Sequence, residues 1–318
     1  LFEVSMNWQP SASLNALRHR AEVFSHIRSY FKDQNVLEVD TPALSRSTGT
    51  DVHLSQFITQ EGYALHTSPE FPMKRLLAAG SGDIYQLAHV FRQDETGQRH
   101  NPEFMMLEWY RTGWDEWELM SDVVNLIDGL TPGTNLEVIH TSYEQAFLDA
   151  KLPNPFSSSL KELQLAAARS LQSDADQWQR DDCLDALMAL VVEPNLPKER
   201  LCFIHSYPQS QAALAAYGLF NDQAIARRFE LYWQGMELAN GYFELTDSIE
   251  QKRRFEAESV QRQQLGLAAP KIDEAFLAAL EQGMPSCSGV ALGVDRLLMI
   301  LGQYSSISEV LPFEFGRA

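Results

Sequence analysis

Long apolar runs are missing from this sequence of 318 residues. None approaches the ~18 residues that a membrane-crossing helix needs, so no membrane span is expected. Cysteine is scarce. Cys183, Cys202 and Cys287 are scattered and odd in number, and they make no C-x-x-C pair or zinc spacing, so they read as buried thiols of a reducing compartment. Positive charge is short as well: 25 Lys and Arg stand against 43 Asp and Glu, a net charge of −18. A polyanion repels a phosphate backbone, which argues against DNA or RNA as the main partner and suits a basic protein partner instead. The sequence has neither a Walker loop nor a G-x-G-x-x-G after a strand, so P-loop and Rossmann readings fail. Its opening, LFEVSMNWQP, lacks a basic stretch followed by an apolar core, so no export signal is expected and a cytoplasmic location follows.

The residues that are present alternate between two periods. Ser13 is placed to cap a helix in which Leu14, Leu17, Ala21, Phe24, Ile27 and Phe31 recur at steps of three and four, predicting an amphipathic helix to about Lys32. A short strand is expected at 36–39, ended by Pro42, which has no N–H for a ladder. Residues 52–67 predict a strand pair turning near Glu61 and Gly62. A helix over 69–79 follows, closed by Gly80, then strands at 83–91 and 103–110 and a helix at 115–129. Helical patterns at 159–171 and 178–192, broken by Pro153, Pro155, Pro194 and Pro197, make 131–200 a mainly helical insertion in one domain spanning 1–318. Strand chemistry returns at 201–205 and 227–245, and helices at 248–266 and 272–282 precede a final strand–turn–helix. Strands and helices mixed irregularly favour an α+β fold, an antiparallel sheet flanked by helices, over a doubly wound one.

Two segments carry the chemistry. In FRQDETGQRHNPEFMMLEWYR, residues 91–111, alternation puts Phe104, Met106, Glu108 and Tyr110 on one face and Met105, Leu107 and Trp109 on the other. The second face is apolar and must be core. The first mixes an aromatic ring, a carboxylate and a phenol, which suits a ligand-facing surface or, failing that, a solvated one. Arg92, at the end of the preceding strand, offers a planar guanidinium for bidentate grip on a phosphate. In SGVALGVDRLLM, Arg296 follows Gly293, Val294 and Asp295 as a helix opens; Gly289 and Gly293 allow close backbone approach to a ligand, or serve core packing.

Glu237 and Glu244 frame GMELANGYFEL. Seven residues apart on a regular strand they face opposite sides, so both reach one site only if the register breaks, for which Asn240 and Gly241 are the natural bulge or turn. Converging near phosphates they would hold Mg²⁺, or one would grip a substrate ammonium; otherwise one faces solvent. Ser68, in Thr67-Ser68-Pro69-Glu70, either caps the next helix, with Glu70 in its first turn, or meets a substrate.

Together these parts resemble the catalytic domain of class II aminoacyl-tRNA synthetases. The long helix, strand and Pro42 look like motif 1, FRQDETGQRHNPEF like motif 2, and GVALGVDR like motif 3. RHNPEFMMLEWY and GMELANGYFELTD are similar to lysyl-type signatures, and the resemblance covers about residues 11–316. Lysyl-tRNA synthetases carry an N-terminal OB-fold that reads the anticodon. Here the motif 1 helix starts by about Leu14, so no anticodon binding is expected. The chain thus looks like the stand-alone paralogues of the elongation factor P–(R)-β-lysine ligase family. Ser68 and Ala291, standing where lysyl-tRNA synthetases usually carry Ala and Gly, fit a pocket reshaped for β-lysine over α-lysine.

The resemblance implies a homodimer through motif 1, ATP as co-substrate, Mg²⁺, (R)-β-lysine as the activated amino acid and elongation factor P as the acceptor. It implies Arg92 on the α-phosphate and Arg296 on the γ-phosphate as the catalytic pair. Phe104 would stack on adenine with Arg296 over the other face, and Gln93, Asp94, His100, Asn101, Glu237, Leu238 and Gly293 would complete the ATP site. Ser68, Pro69, Glu70, Tyr110, Glu244 and Ala291 would hold the substrate, with Glu237 and Glu244 as Mg²⁺ ligands. One departure stands out: the family's Arg-x-Glu is here Arg92-Gln93-Asp94. Asp94 is one methylene shorter, so its contact with the adenine edge is lost, bridged by water or made by Glu95. Rival readings are a non-catalytic synthetase-like regulatory subunit, which the presence of both arginines disfavours, and a ligase with a small-molecule acceptor. A truncated tRNA-charging enzyme fits the net charge poorly.

Overall fold

The computed structural model describes residues 8–47, 49–52, 54–268 and 270–318. Residues 1–7, which carry most of the export-signal reading, and His53, inside the expected 52–67 strand pair, lie outside them. In chain order come α1 (Leu14–Asp33), β1 (Leu37–Glu38), β2 (Leu44–Ser45), β3 (Ala64–Leu65), α2 (Glu70–Ala78), β4 (Ile84–Phe91), β5 (Glu103–Thr112) and α3 (Glu116–Leu130). Next are β6 (Val138–Ser142), α4 (Tyr143–Asp149), α5 (Leu160–Leu171), α6 (Arg180–Leu187), a π-helical stretch over Met188–Val192 and the single turn α7 (Glu193–Asn195). Then follow β7 (Leu201–Tyr207), β8 (Tyr217–Phe220), β9 (Gln223–Trp233), β10 (Met236–Phe243), α8 (Ser248–Gln264), α9 (Glu274–Gly283), β11 (Cys287–Gly293) and α10 (Val294–Leu301).

Local chemistry sets the ends of these elements. Ser13 caps α1, its Oγ accepting the Ala16 N–H at 3.1 Å, and Asp115 with Glu118 forms a capping box on α3. Among the described residues one sheet runs β1-β4-β5-β11-β10-β9-β7-β6, with β8 beside β9. The β1–β4 and β6–β7 pairs are parallel and the rest antiparallel, which is the expected α+β arrangement. The apolar row of β5, Met105, Leu107 and Trp109, is buried with Phe203, Phe229 and Leu292 under α1, α3 and α10. The opposite row faces a cavity. All three cysteines are buried and free, as expected.

Two expectations need correction, and a third gains a strand. Within 131–200, expected to be mainly helical, β6 joins the main sheet beside β7, its β-branched Val138, Ile139 and Thr141 favouring a strand, and the rest packs as a helical layer around Phe147, Leu163 and Leu184. The 227–245 stretch is two strands, turned at Gln234 and Gly235, whose φ values of 52° and 69° suit a tight hairpin. The register breaks at Leu238, between Glu237 and Ala239, while Asn240 and Gly241 sit in regular ladder opposite Ala291 and Val290. Gly241 is there for another reason, since a Cβ would lie 2.4 Å from the Phe229 ring. Finally, the 52–67 strand pair shrinks to β3, one bridge between Ile58 and Ala64, and a turn in which Thr59 N–H donates to Tyr63 O at 2.7 Å.

Candidate active site

The cavity, about 980 Å³, lies over β5, β11 and β10. Register aligns its floor. Asn240, Ala291, Glu108 and Gln86 stand side by side across β10, β11, β5 and β4, and Tyr242, Gly289 and Tyr110 form the next row. Gly289 has to lack a side chain: a Cβ would meet the Tyr110 ring at 2.3 Å and Glu244 Oε1 at 2.5 Å. Its absence lets the phenol and the carboxylate share one spot.

One end of the cavity is acidic. Lys74, fully buried in α2, holds Glu70 Oε1 and Glu244 Oε2, each at 2.6 Å. Tyr110 donates to Glu108 Oε1 at 2.7 Å, while Glu108 Oε2 has no partner. Burial, and then the neighbouring Glu70, push Glu108 up to about 8. Burial likewise pushes Glu244 up to about 8, against the pull of Lys74. Lys74 holds its proton, because two carboxylates flank it. With Lys74 committed to Glu70 and Glu244, Glu108 is the carboxylate that keeps a proton when no other cation is near. Three carboxylates against one ammonium leave room for added positive charge.

The other end is basic. Arg92 sits 5.1 Å over the Phe104 ring and pairs with Glu95 at 3.1 Å. Arg296 donates to Glu237 O at 2.8 Å and meets His100 Nε2 at 2.7 Å. Burial and then the Arg296 charge lower the His100 pKa, so the neutral ring accepts. Asp295, buried before Arg296, pairs with Arg20 of α1, and its Oδ2 accepts the Met105 N–H at 2.7 Å, where β11 no longer reaches β5.

Most of the site residues expected from sequence come together in this cavity. Its wall contains Ser68, Glu70, Tyr110, Glu244 and Ala291 at the acidic end, and Arg92, His100, Phe104, Gly293 and Arg296 at the basic end, with Glu237 and Leu238 from the start of β10. Asn101 reaches the wall, but its side chain is spent on Glu103 O and Phe315 N–H, at 2.6 and 3.0 Å. Pro69, Gln93 and Asp94 are outside the wall. Pro69 takes the N-cap position of α2, where Ser68 was the alternative; Ser68 Oγ accepts the Glu70 N–H at 3.3 Å. Glu95, not Asp94, is the acid facing the cavity.

Glu237 and Glu244 lie in different neighbourhoods. Burial and then Glu230 raise Glu237 to about 7, whereas Glu244 is engaged by Lys74 and Glu70. Among the described residues no group of three or more His, Cys, Asp and Glu side chains converges to hold a metal ion. A magnesium ion that shares its shell with phosphates needs only one or two carboxylates, and Glu237 with Glu230 fits that need better than Glu237 with Glu244. Sequence reasoning missed Lys74 and Glu230. Lys74 stands one helical turn after Glu70, a visible i,i+4 pair; Glu230 shares strand parity with Tyr232, whose hydroxyl it accepts at 2.5 Å.

Comparison with known proteins gives the family. Residues 4–315 fit the family model described as tRNA synthetases class II (D, K and N). The chain is 47% identical to the elongation factor P–(R)-β-lysine ligase of Hamiltonella defensa subsp. Acyrthosiphon pisum and, equally, to that of Pasteurella multocida, over 98% of each chain. It is 45% identical to the ligase of that name from Vibrio atlanticus, over 98% of this chain and 99% of the relative. The chain belongs to the class II tRNA synthetase family and, within it, to the family that these elongation factor P–(R)-β-lysine ligases form.

Proposed function

We propose that this protein activates (R)-β-lysine with ATP, α-lysine less well, and transfers it to the ε-amine of a lysine on elongation factor P in the cytoplasm. The observation that carries the reading is the two-ended cavity. Formally, Glu70, Glu108 and Glu244 less Lys74 make −2 at one end, the complement of a carboxylic acid bearing two ammonium groups. The arginines at the other end suit a triphosphate. The relatives' names supply the acceptor.

In the first step the amino acid's carboxylate oxygen attacks the α-phosphorus, the bond to the bridging oxygen breaks, and pyrophosphate leaves. In the second the acceptor amine attacks the acyl carbon, the acyl–phosphate bond breaks, AMP leaves and the amine gives up a proton. No protein nucleophile is required. Arg92 and Arg296 neutralise charge on the phosphates, and the β5 row sets the acyl group at a fixed distance from the ammonium pocket. Phe104 supplies the adenine platform, and Arg296 swings from His100 to cover its other face. His100, Leu238 and Gly293 complete the nucleotide wall, while Asn101 shapes it through the backbone. Mg²⁺, held by Glu237 with Glu230, would supply further charge neutralisation on the phosphates. Ser68 and Ala291 narrow the pocket for an amino group moved by one carbon. We read 1–318 as one catalytic unit with a mainly helical insertion, pairing through α1 into a homodimer.

ATP–pyrophosphate exchange tests the reading. It should run with (R)-β-lysine, more weakly with α-lysine, and not with norleucine, which lacks the second ammonium. Equal exchange with norleucine, or none with either lysine, would sink it.

A further inference from the structure

Part of the cavity wall is chain without regular structure. Gly49, Thr50, Asp51, Val52 and Leu54 line it, and none of them belongs to a helix or strand. Backbone outside a ladder has to find its partners elsewhere. Here α8 supplies them. Arg262, 8% exposed, sets its Nη1 2.6 Å from Asp51 O and 3.4 Å from both Val52 O and Leu54 O, while its Nε donates to Ala268 O at 3.0 Å. One helical turn earlier, Glu258 accepts the hydroxyl of Thr50, a residue only 2% exposed. Burial raises the pKa of Glu258, and the charges of Asp51 and Glu70 add to the rise, so this wall belongs to the acidic end.

A buried guanidinium usually meets a carboxylate, because neutral acceptors alone repay little of its lost hydration. Among the described residues the partners of Arg262 are carbonyl oxygens alone. What they secure is a wall of the cavity. The same helix holds the other side of the ammonium pocket. Asp247, the N-cap of α8, stands three residues after Glu244, and Arg254 Nη1 donates to Ala213 O and Ala215 O, each at 2.8 Å. Ala215 in turn bridges to Glu244, the carboxylate on Lys74. Arg254 and Arg262 are eight residues apart, about 12 Å along a helix. α8 therefore sets the spacing between the Glu244 side and the wall at 49–52. Beyond Leu54 the chain is fixed independently, since Ser55 O accepts the Gln93 N–H at 3.0 Å. The hold of α8 is thus on the amino-acid end and not on the nucleotide end.

We infer that Arg262, together with the Glu258–Thr50 pair, positions the amino acid: it holds residues 49–52 and Leu54 as the wall against which the diammonium chain is seated. The inference rests on the proposed function and adds positioning residues to its acidic end. Arg262 and Glu258 act through the wall they hold, and neither has a part in binding ATP.

ATP–pyrophosphate exchange reads this, with the KM for (R)-β-lysine and the KM for ATP measured separately. Arg262→Gln should raise the KM for β-lysine roughly tenfold or more, the scale of a misplaced substrate contact, and leave kcat and the KM for ATP nearly unchanged. Arg262→Lys keeps the charge without the planar fork and should recover part of the loss. Thr50→Val and Glu258→Ala each remove the same hydrogen bond, so they should raise the KM for β-lysine alike, and the double variant should add little to either. These milder changes carry the test if Arg262→Gln does not fold. Glu258→Gln still offers Thr50 an oxygen and should recover most of what Glu258→Ala loses. A kcat or a KM for ATP that moves with the KM for β-lysine would mean a general structural role. Glu258→Gln as damaging as Glu258→Ala would mean a carboxylate that meets the substrate ammonium directly. An unchanged KM for β-lysine in Thr50→Val and Glu258→Ala would mean a wall without bearing on recognition. Each of these overturns the inference and leaves the proposed function standing, whereas a wild type that exchanges with neither lysine overturns both.

Discussion

In the proposed function, Glu108 is the residue on which substrate recognition turns. It is buried, one oxygen has no partner, and its pKa is raised to about 8 from an ordinary 4.5. Two predictions follow from that state. Glu108→Gln removes the charge but keeps the Tyr110 contact, so the KM for β-lysine in pyrophosphate exchange should rise by roughly tenfold to a hundredfold. That corresponds to about 1.5–3 kcal/mol for a hydrogen bond to a charged group, with the KM for ATP nearly unchanged. The second concerns pH. Between 4.5 and about 8 the native state keeps a proton on Glu108 that the unfolded chain has released. More protons are bound in the native state, so the stability of the free protein should fall as pH rises through this window. A bound diammonium acid favours the ionised carboxylate, so binding should release protons at pH 7 and tighten towards pH 8. Calorimetry in two buffers of different ionisation heat reads the release; uptake of protons would contradict the charge assignment.

At the scale of elements, β5 and β11 build the site and the rest of the fold keeps them in register. Gly241→Ala would drive a methyl into the Phe229 ring, which is fully buried among core residues, edge-on to Phe203. A loss of about 1–3 kcal/mol, the usual cost of overpacking, is expected in denaturant melts. Asp295→Ala would orphan Arg20 and the Met105 N–H together. Breaking such a buried pair costs about 3–5 kcal/mol, and a raised KM for ATP should accompany it, because Phe104 and Arg296 flank the lost contacts.

The legibility of the sequence follows the same lines. The parity of β5 could be read directly, because one face had to be apolar and the other was too polar for a core. The caps at Ser13 and Asp115 follow local rules. The bulge at Leu238 could not be read, since nothing in Glu237, Leu238 and Ala239 marks a break, whereas Asn240 and Gly241 look like one. The strand at 138–142 was hidden for a related reason: its partner β7 lies some sixty residues further on, and only tertiary pairing makes it a strand. Lys74 was missed because a lysine on a helix is ordinarily solvent-facing, and only Glu70 of its own helix and Glu244, just past β10, let it be buried.

For the whole molecule, a net charge of −18 favours the collection of positive ligands, with ATP met by the local arginines. Its cavity keeps its positive end for phosphates, while the acidic pocket at the other end suits ammonium groups. Association with a basic acceptor surface should slow as salt is raised, with screening lengths near ~8 Å at physiological ionic strength; a salt-independent rate would remove electrostatic recruitment from the account. The central claim is that the two-ended cavity joins a diamino acid to a protein lysine. Intact-mass spectrometry of elongation factor P, incubated with this protein, ATP and (R)-β-lysine, tests it most directly. The account predicts a gain of one β-lysyl group on a single lysine, dependent on ATP and lost in Arg92→Ala. An unmodified factor, under conditions where the same protein exchanges pyrophosphate with β-lysine, would contradict it.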